Sequence, residues 1–83
     1  MAAKVKLYAL STCSHCRNAK EFLNKNNVEY DMTEVDKLTG DERRQTIEQV
    51  RQLNPECSFP TLIIDGRVIV GFKPDDIKTA LGL

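Results

Sequence analysis

Residues 5–16, Val5-Lys6-Leu7-Tyr8-Ala9-Leu10-Ser11-Thr12-Cys13-Ser14-His15-Cys16, compress a strand, a corner and a helix start into one short run. Val5 to Leu10 is rich in strand formers and stops at the polar pair Ser11-Thr12, which predicts a buried strand. From about Ser14 to Asn26 the apolar positions Cys16, Ala19, Phe22 and Leu23 fall on one helical face, with Arg17, Lys20, Glu21 and Lys25 mostly away from it. Asn26-Asn27 supplies the stop. A C-x-x-C pair is thereby set at a strand-to-helix junction, with Cys13 at the helix N-terminus and Cys16 one turn in.

Working outward, Val28-Glu29-Tyr30-Asp31-Met32 alternates apolar with acidic or polar residues and predicts a second strand. Thr39 and Glu42 stand in capping-box spacing before a second amphipathic helix carrying Ile47, Val50 and Leu53 on one side. Asn54-Pro55 ends that helix. Pro60 precedes the strand Thr61-Leu62-Ile63-Ile64, Asp65-Gly66 is a strong hairpin turn signal, and Val68-Ile69-Val70 returns as the antiparallel mate. Pro74, followed by Asp75 and Asp76 in the positive first turn, opens a last helix that buries Ile77, Ala80 and Leu81. The order βαβαββα, with a helix joining the first two strands, implies a parallel pair with a right-handed crossover and an antiparallel hairpin at the edge. The expectation is an α/β chain: one mixed four-stranded sheet with helices packed on it, in a single domain spanning residues 1–83.

Composition narrows the partners. The chain has 83 residues, 12 Lys plus Arg against 12 Asp plus Glu, and zero net charge. No basic face points to nucleic acid or to an anionic membrane. The apolar run Leu62-Ile63-Ile64 is stopped at once by Asp65-Gly66, far short of the ~20 residues of a membrane span. The start, Met1-Ala2-Ala3-Lys4, lacks the apolar segment of a signal peptide, so a cytoplasmic location is expected. Cysteines number 3, too few and odd for a disulfide scaffold, and their use is expected to be chemical. Nothing in the charge pattern calls for an oligomer, so a monomer is expected.

At a helix N-terminus, unpaired N–H groups and the positive end of the dipole favour a thiolate. Cys13 is therefore expected to be the nucleophile, and Cys16, on the apolar face, to stay protonated until a mixed disulfide on Cys13 offers it a sulfur to attack. His15, inside the pair, either stabilises that thiolate as an imidazolium, making the couple more oxidising, or is an exposed helix-start residue without effect. Cys57, three residues before Pro60, is a small buried residue at a strand entry, a third redox thiol, or a metal ligand with Cys13, Cys16 and His15.

In order and spacing, Cys13-Ser14-His15-Cys16 after a strand, Phe59-Pro60 before one, and Gly71-Phe72-Lys73-Pro74-Asp75 after the hairpin resemble the glutaredoxin branch of the thioredoxin fold. The resemblance covers nearly the whole chain. It implies a thioredoxin-like fold with helices on both faces of the sheet. Cys13 would be the attacking cysteine, Cys16 the resolving one, and Pro60 a cis-proline beside which the backbone of Phe59 pairs with a peptide or with glutathione. It further implies a binding surface of Thr12, Phe59, Pro60, Gly71 and Phe72, with Asp75 or Asp76 receiving the ligand's free amino group. A solvated, acidic helix start is the alternative for the two aspartates, and a core position under the hairpin is the alternative for Phe72.

Two departures bear on specificity. Ser14-His15 stands where dithiol glutaredoxins usually carry Pro-Tyr, and Leu10 stands where the family tends to have a lysine that helps hold glutathione. Gly71-Phe72-Lys73-Pro74-Asp75 is similar to the Gly-Phe-Arg-Pro-Asp of NrdH-type redoxins, which resemble glutaredoxins yet take electrons from thioredoxin reductase. The expected activity is thiol–disulfide exchange on protein disulfides or glutathione mixed disulfides, with no tightly bound cofactor or metal and with glutathione as cosubstrate. The rival readings are an NrdH-type electron donor, a redox-inactive interaction module, and a metal or iron–sulfur module. The last would use three thiols and a histidine at zinc, or Cys13 thiolates of two chains at a [2Fe–2S] cluster.

Overall fold

Strand β1 (Val5–Ala9) sends Val5, Leu7 and Ala9 to one side of the sheet and Tyr8 to the other, and each set is buried. A strand covered on both faces must lie inside the sheet. The computed structural model describes residues 4–83, and Met1, Ala2 and Ala3, read above as a lead-in without signal-peptide character, lie outside the described residues. After β1 come α1 (Ser14–Lys25), β2 (Asp31–Glu34), a 3₁₀ turn (Val35–Lys37), α2 (Gly40–Leu53), β3 (Thr61–Ile64), β4 (Arg67–Val70) and α3 (Pro74–Leu81). The sheet order is β2-β1-β3-β4, with β1 parallel to β2 and antiparallel to β3. The expected βαβαββα chain and mixed four-stranded sheet are thus observed, with the 3₁₀ turn added.

One core cluster joins the odd residues of β1 to Leu62, Ile64 and Ile69, to Cys16, Ala19 and Leu23 of α1, and to Ile77 of α3. A smaller cluster on the opposite face joins Tyr8, Val35 and Val50, flanked by half-buried Ile47, Leu53 and Ile63. Helices α1 and α3 therefore cover one face and α2 the other.

The second strand begins three residues later than its alternation predicts. Asn27 adopts a left-handed φ of 57°, and the Val28 N–H donates to the Leu23 carbonyl at 2.9 Å instead of to β1. Val28 and Tyr30 pack half-buried against the α1-side core as part of the crossover. Their alternation with acidic residues records packing over the helix end, and pairing starts only at Lys6↔Asp31. The capping box before α2 also differs. Thr39 holds the cap position with extended backbone but its hydroxyl caps nothing, because Gly40 enters the helix with φ 59° and the first turn is not the regular one that brings N–H groups over the cap side chain.

The hairpin follows its residues. Asp65 and Gly66 both have positive φ, 49° and 86°, the combination that matches strand twist in a two-residue turn. Asp65 also extends the β1–β3 pairing by one residue: its N–H donates to the Lys4 carbonyl and its Oδ1 accepts from the Lys4 N–H, both at 2.9 Å. Pro74 opens α3 at the first turn, where its missing N–H has no partner to lose.

Leu7, fully buried in the central strand, and Met32, exposed on edge strand β2, give a paired test of this layering. Leu7→Ala is expected to cost about 2–5 kcal/mol in urea unfolding, and Met32→Ala about 0.5 kcal/mol or less. Equal losses would contradict a core centred on β1.

Candidate active site

Past Ala9 the chain turns a corner before entering α1. The Cys13 N–H donates to the Leu10 carbonyl at 3.3 Å, closing the turn that contains Ser11 and Thr12. Cys13 is then the N-cap of α1, with extended backbone (φ −89°, ψ 121°) and a carbonyl that accepts the Arg17 N–H at 3.1 Å. Cap side chains are normally oxygen acceptors for the orphan N–H groups of the first turn. Here the acceptor is sulfur: Cys13 Sγ takes the Cys16 N–H at 3.3 Å. A hydrogen bond of this kind strengthens when its acceptor carries negative charge.

Cys16 is fully buried, packed with Ala19 and Leu23 into the α1-side core. Burial pushes its thiol up to about 12, with the hydrogen bond to Cys13 and the Cys13 charge acting in the same direction. The two sulfurs are thus chemically unequal: one half-exposed on open N–H groups, the other held neutral in an apolar setting.

Two further segments carry the remaining site residues. The Phe59–Pro60 peptide bond is cis. Pro60 is buried and its carbonyl accepts the Gly71 N–H at 2.8 Å, which ties the end of the hairpin to the segment entering β3. Gly71 has φ 85°, a conformation that L side chains rarely adopt, so glycine is required at this crossing. Cys13, Phe59 and Phe72 are all half-buried against the same α1-side core, which gathers three of the predicted site residues around one cluster. Phe72 meets Phe22 edge to face at 6.1 Å and lines, with Asn18, Glu21 and Lys25, a depression of about 250 Å³ along α1. Thr12 and His15 are exposed, at the corner and in the first turn of α1.

Asp75 and Asp76 stand exposed in the first turn of α3, and among the described residues neither enters a salt bridge. Asp76 borders a separate depression along β4 with Arg67 and Lys73. Cys57 is half-buried against the α2-side cluster, whereas Cys13 and Cys16 pack on the α1 side. Among the described residues no three His, Cys, Asp or Glu side chains are grouped so as to hold a metal ion, and a ligand set of Cys13, Cys16, Cys57 and His15 is not assembled. A depression of about 310 Å³ at the other end of β1, away from the cysteines, has Val5 and Ile63 in its lining together with Lys4, Lys6, Asp31 and Asp65.

Two residues that the sequence reading passed over organise these segments. Asn54, read only as a helix stop, is 3% exposed and is a hub. Its Nδ2 donates towards Ser58 Oγ, the Ser58 carbonyl and Thr61 Oγ1 at 3.0–3.3 Å, and its Oδ1 accepts the Glu56 N–H at 3.2 Å. The loop that delivers Phe59 and Pro60 is therefore built on one buried amide. The second is Asp36, 25 residues from its partner Ser11, whose N–H and hydroxyl both donate to the Asp36 carboxylate. The Asn-Pro dipeptide was a local hint for the first. Nothing local signals the second.

Similarity to known proteins agrees with this geometry. The glutaredoxin family model matches residues 5–69. The chain is 33% identical over 73 residues to a glutaredoxin-like 8.6 kDa protein in the rubredoxin operon of Clostridium pasteurianum, covering 88% of this chain and 91% of that protein. Among solved structures, methanoredoxin of Methanosarcina acetivorans superposes with a TM-score of 0.91 at 41% identity, over 96% of this chain and 85% of that one. Glutaredoxin of Methanosarcina mazei Go1 does so with 0.89 at 44%, over 96% and 79%. The architecture is the thioredoxin fold.

The burial of Cys16 gives a stability test whose sign follows from linkage. A thiol whose ionisation is harder in the folded state than the ordinary 9.0 stabilises the fold below that value, and the contribution is lost as pH rises from 9.0 towards about 12. In urea unfolding, the stability gap between the reduced protein and Cys16→Ala is expected to shrink over that range. A gap that stays constant to the alkaline end would contradict a neutral, desolvated Cys16. Separately, Asn54→Ala is expected to destabilise by about 1–3 kcal/mol, since it removes the buried donor to Ser58 and Thr61 and the acceptor of the Glu56 N–H. A neutral outcome would contradict the hub.

Proposed function

The chain belongs to the glutaredoxin family of thiol–disulfide oxidoreductases, and from that premise we propose that Cys13 attacks and Cys16 resolves. The observation that carries the proposal is the inequality of the two sulfurs: Cys13 caps α1 with its Sγ on the Cys16 N–H, while Cys16 is fully buried with its thiol pushed up to about 12. The Cys13 thiolate attacks one sulfur of a substrate disulfide. A Cys13–substrate disulfide forms and the second substrate sulfur leaves as a thiolate that takes up a proton. In that mixed disulfide the Cys13 charge is gone, and with it two of the causes that hold the Cys16 proton. Cys16 then loses its proton and attacks Cys13 Sγ, which releases the substrate as a thiol and leaves a Cys13–Cys16 disulfide. An external dithiol, or two monothiols, returns both cysteines to thiols and is itself oxidised to a disulfide.

The substrates proposed are protein disulfides or glutathione mixed disulfides, with glutathione as cosubstrate and no tightly bound cofactor. Backbone pairing beside Phe59 and Pro60, apolar contact with Phe59 and Phe72, close approach at Gly71, and Thr12 at the corner would hold them. Asp75 or Asp76 would receive a free amino group, and His15 would tune the Cys13 thiolate. A second reading, in which thioredoxin reductase supplies the electrons, is favoured by the Gly71-to-Asp75 sequence and by Leu10 in place of a lysine. Action as a monomer in the reducing cytoplasm belongs to the same proposal. No helix among the described residues is long and apolar enough to cross a membrane.

In a disulfide-reduction assay, Cys13→Ser is expected to fall to the uncatalysed background. Cys16→Ser is expected to perform the first step and accumulate a mixed disulfide on Cys13, visible as an adduct in intact-mass spectra. Full activity of Cys13→Ser, or an adduct on Cys57 instead, would refute the assignment of the nucleophile, and a Cys13–Cys57 disulfide in place of the adduct would refute the assignment of the resolving step.

A further inference from the structure

We propose that Asp36 is a positioning residue for Cys13, acting by clamping the corner between β1 and α1. The inference rests on Cys13 being the attacking thiol. Asp36 lies in the 3₁₀ turn that follows β2, and its carboxylate faces the corner from outside it. Oδ1 accepts the Ser11 N–H at 2.9 Å, and Oδ2 accepts the Ser11 hydroxyl. Both donors belong to a single residue two positions before Cys13, within the turn closed by the Cys13 N–H on the Leu10 carbonyl.

A two-point grip differs from a single bond. One hydrogen bond leaves the Ser11 peptide free to rotate about it, whereas bonds from the N–H and from the side chain of the same residue fix that residue's orientation. The grip is made by an ionised acceptor, which strengthens both bonds. The same two bonds hold the Asp36 carboxyl below the usual carboxylate range, so it stays charged throughout the pH range of thiol exchange.

The consequence falls on the sulfur. Cys13 Sγ takes the Cys16 N–H at 3.3 Å, a close contact for a sulfur acceptor, and keeping it depends on the orientation in which the corner presents Cys13. Helix α1 holds Cys13 through the Arg17 N–H on the Cys13 carbonyl, and the chain before Cys13 is held by the corner. The placement of the sulfur is therefore set from two sides, by the first turn of α1 and by the corner, and Asp36 grips the corner. Strand β2, parallel to β1 and paired Ala9↔Glu34, delivers Asp36 to the same end of the sheet at which β1 releases the corner, which explains how a residue so distant in sequence comes to hold it.

The test is the pH profile of Cys13 alkylation by iodoacetamide, read by peptide mass spectrometry so that Cys57 and Cys16 are counted apart. It reports the Cys13 thiolate whether or not any disulfide is turned over, so this inference and the proposed function can fail independently. Asp36→Ala is expected to move the profile to higher pH and to slow labelling at pH 7 by about three- to tenfold. Ser11→Ala, which keeps the N–H bond and loses the hydroxyl, is expected to shift it in the same direction by less. Asp36→Asn, which can accept the N–H and donate to the Ser11 oxygen, is expected to stay near the parent. An unchanged profile with only a lower melting temperature would make the clamp merely structural and overturn the proposal. A shift to lower pH shared by Asp36→Ala and Asp36→Asn would overturn it differently, by showing that the carboxylate acts through its charge alone.

Discussion

β1 is buried except at Lys6, with Leu7 and Ala9 under α1 and α3, Tyr8 against α2, and β2 and β3 hydrogen-bonded to its two edges. That enclosure fixes where the strand ends, and the residue where it ends decides where α1 begins. Cys13 inherits its position from this sequence of constraints: an immobile strand, a closed corner, and the first open N–H groups of a helix. The scaffold is buried, while the Cys13 sulfur, the proposed attacker, remains half-exposed.

From that placement the division of labour between the sulfurs follows without further machinery. The residues of C-x-x-C lie about one turn apart and so on the same side of the helix, but Cys13 is the half-exposed cap ahead of the first turn whereas Cys16 lies inside it, against the core. Cys16 is buried by the same apolar face that packs Ala19 and Leu23. The N–H that Cys16 donates to Cys13 belongs to the backbone, so the buried residue stabilises the exposed sulfur while its own thiol stays neutral. Two thiols of one chemical type thereby stand in unlike settings, the inequality on which the proposed roles of attacker and resolver rest.

Much of this was legible in the residues, because the relevant signals are local. The strand-to-helix handover at Ser11–Cys13, the helical face of Cys16, Ala19 and Leu23, the Asp65-Gly66 turn and the Pro74 helix start all depend on neighbours within a few positions. The start of β2 was misread for a physical reason: Val28 and Tyr30 alternate because they pack over the end of α1, and periodicity alone does not distinguish packing from strand pairing. Thr39 had the right spacing for a cap and the right position, but the left-handed Gly40 removed the geometry. Asp36 and Asn54 were invisible as site builders. Asp36 acts across 25 residues, and Asn54 acts by satisfying a buried loop that exists only once the fold has formed. Spacing pairs Cys13 with Cys16 but leaves Cys57 open, and it is the sheet that sets it apart, Cys57 on the α2 side and the pair on the α1 side.

The central claim is that one pair of cysteines, and no third, forms the working couple. Equilibrating the protein in a series of glutathione redox buffers, trapping the thiols by alkylation and mapping them by mass spectrometry tests it most directly. The account predicts a Cys13–Cys16 disulfide that appears over one defined range of poise while Cys57 is trapped as a free thiol throughout. A disulfide that includes Cys57, or thiols at Cys13 and Cys16 that stay reduced in the most oxidising buffer, would contradict it.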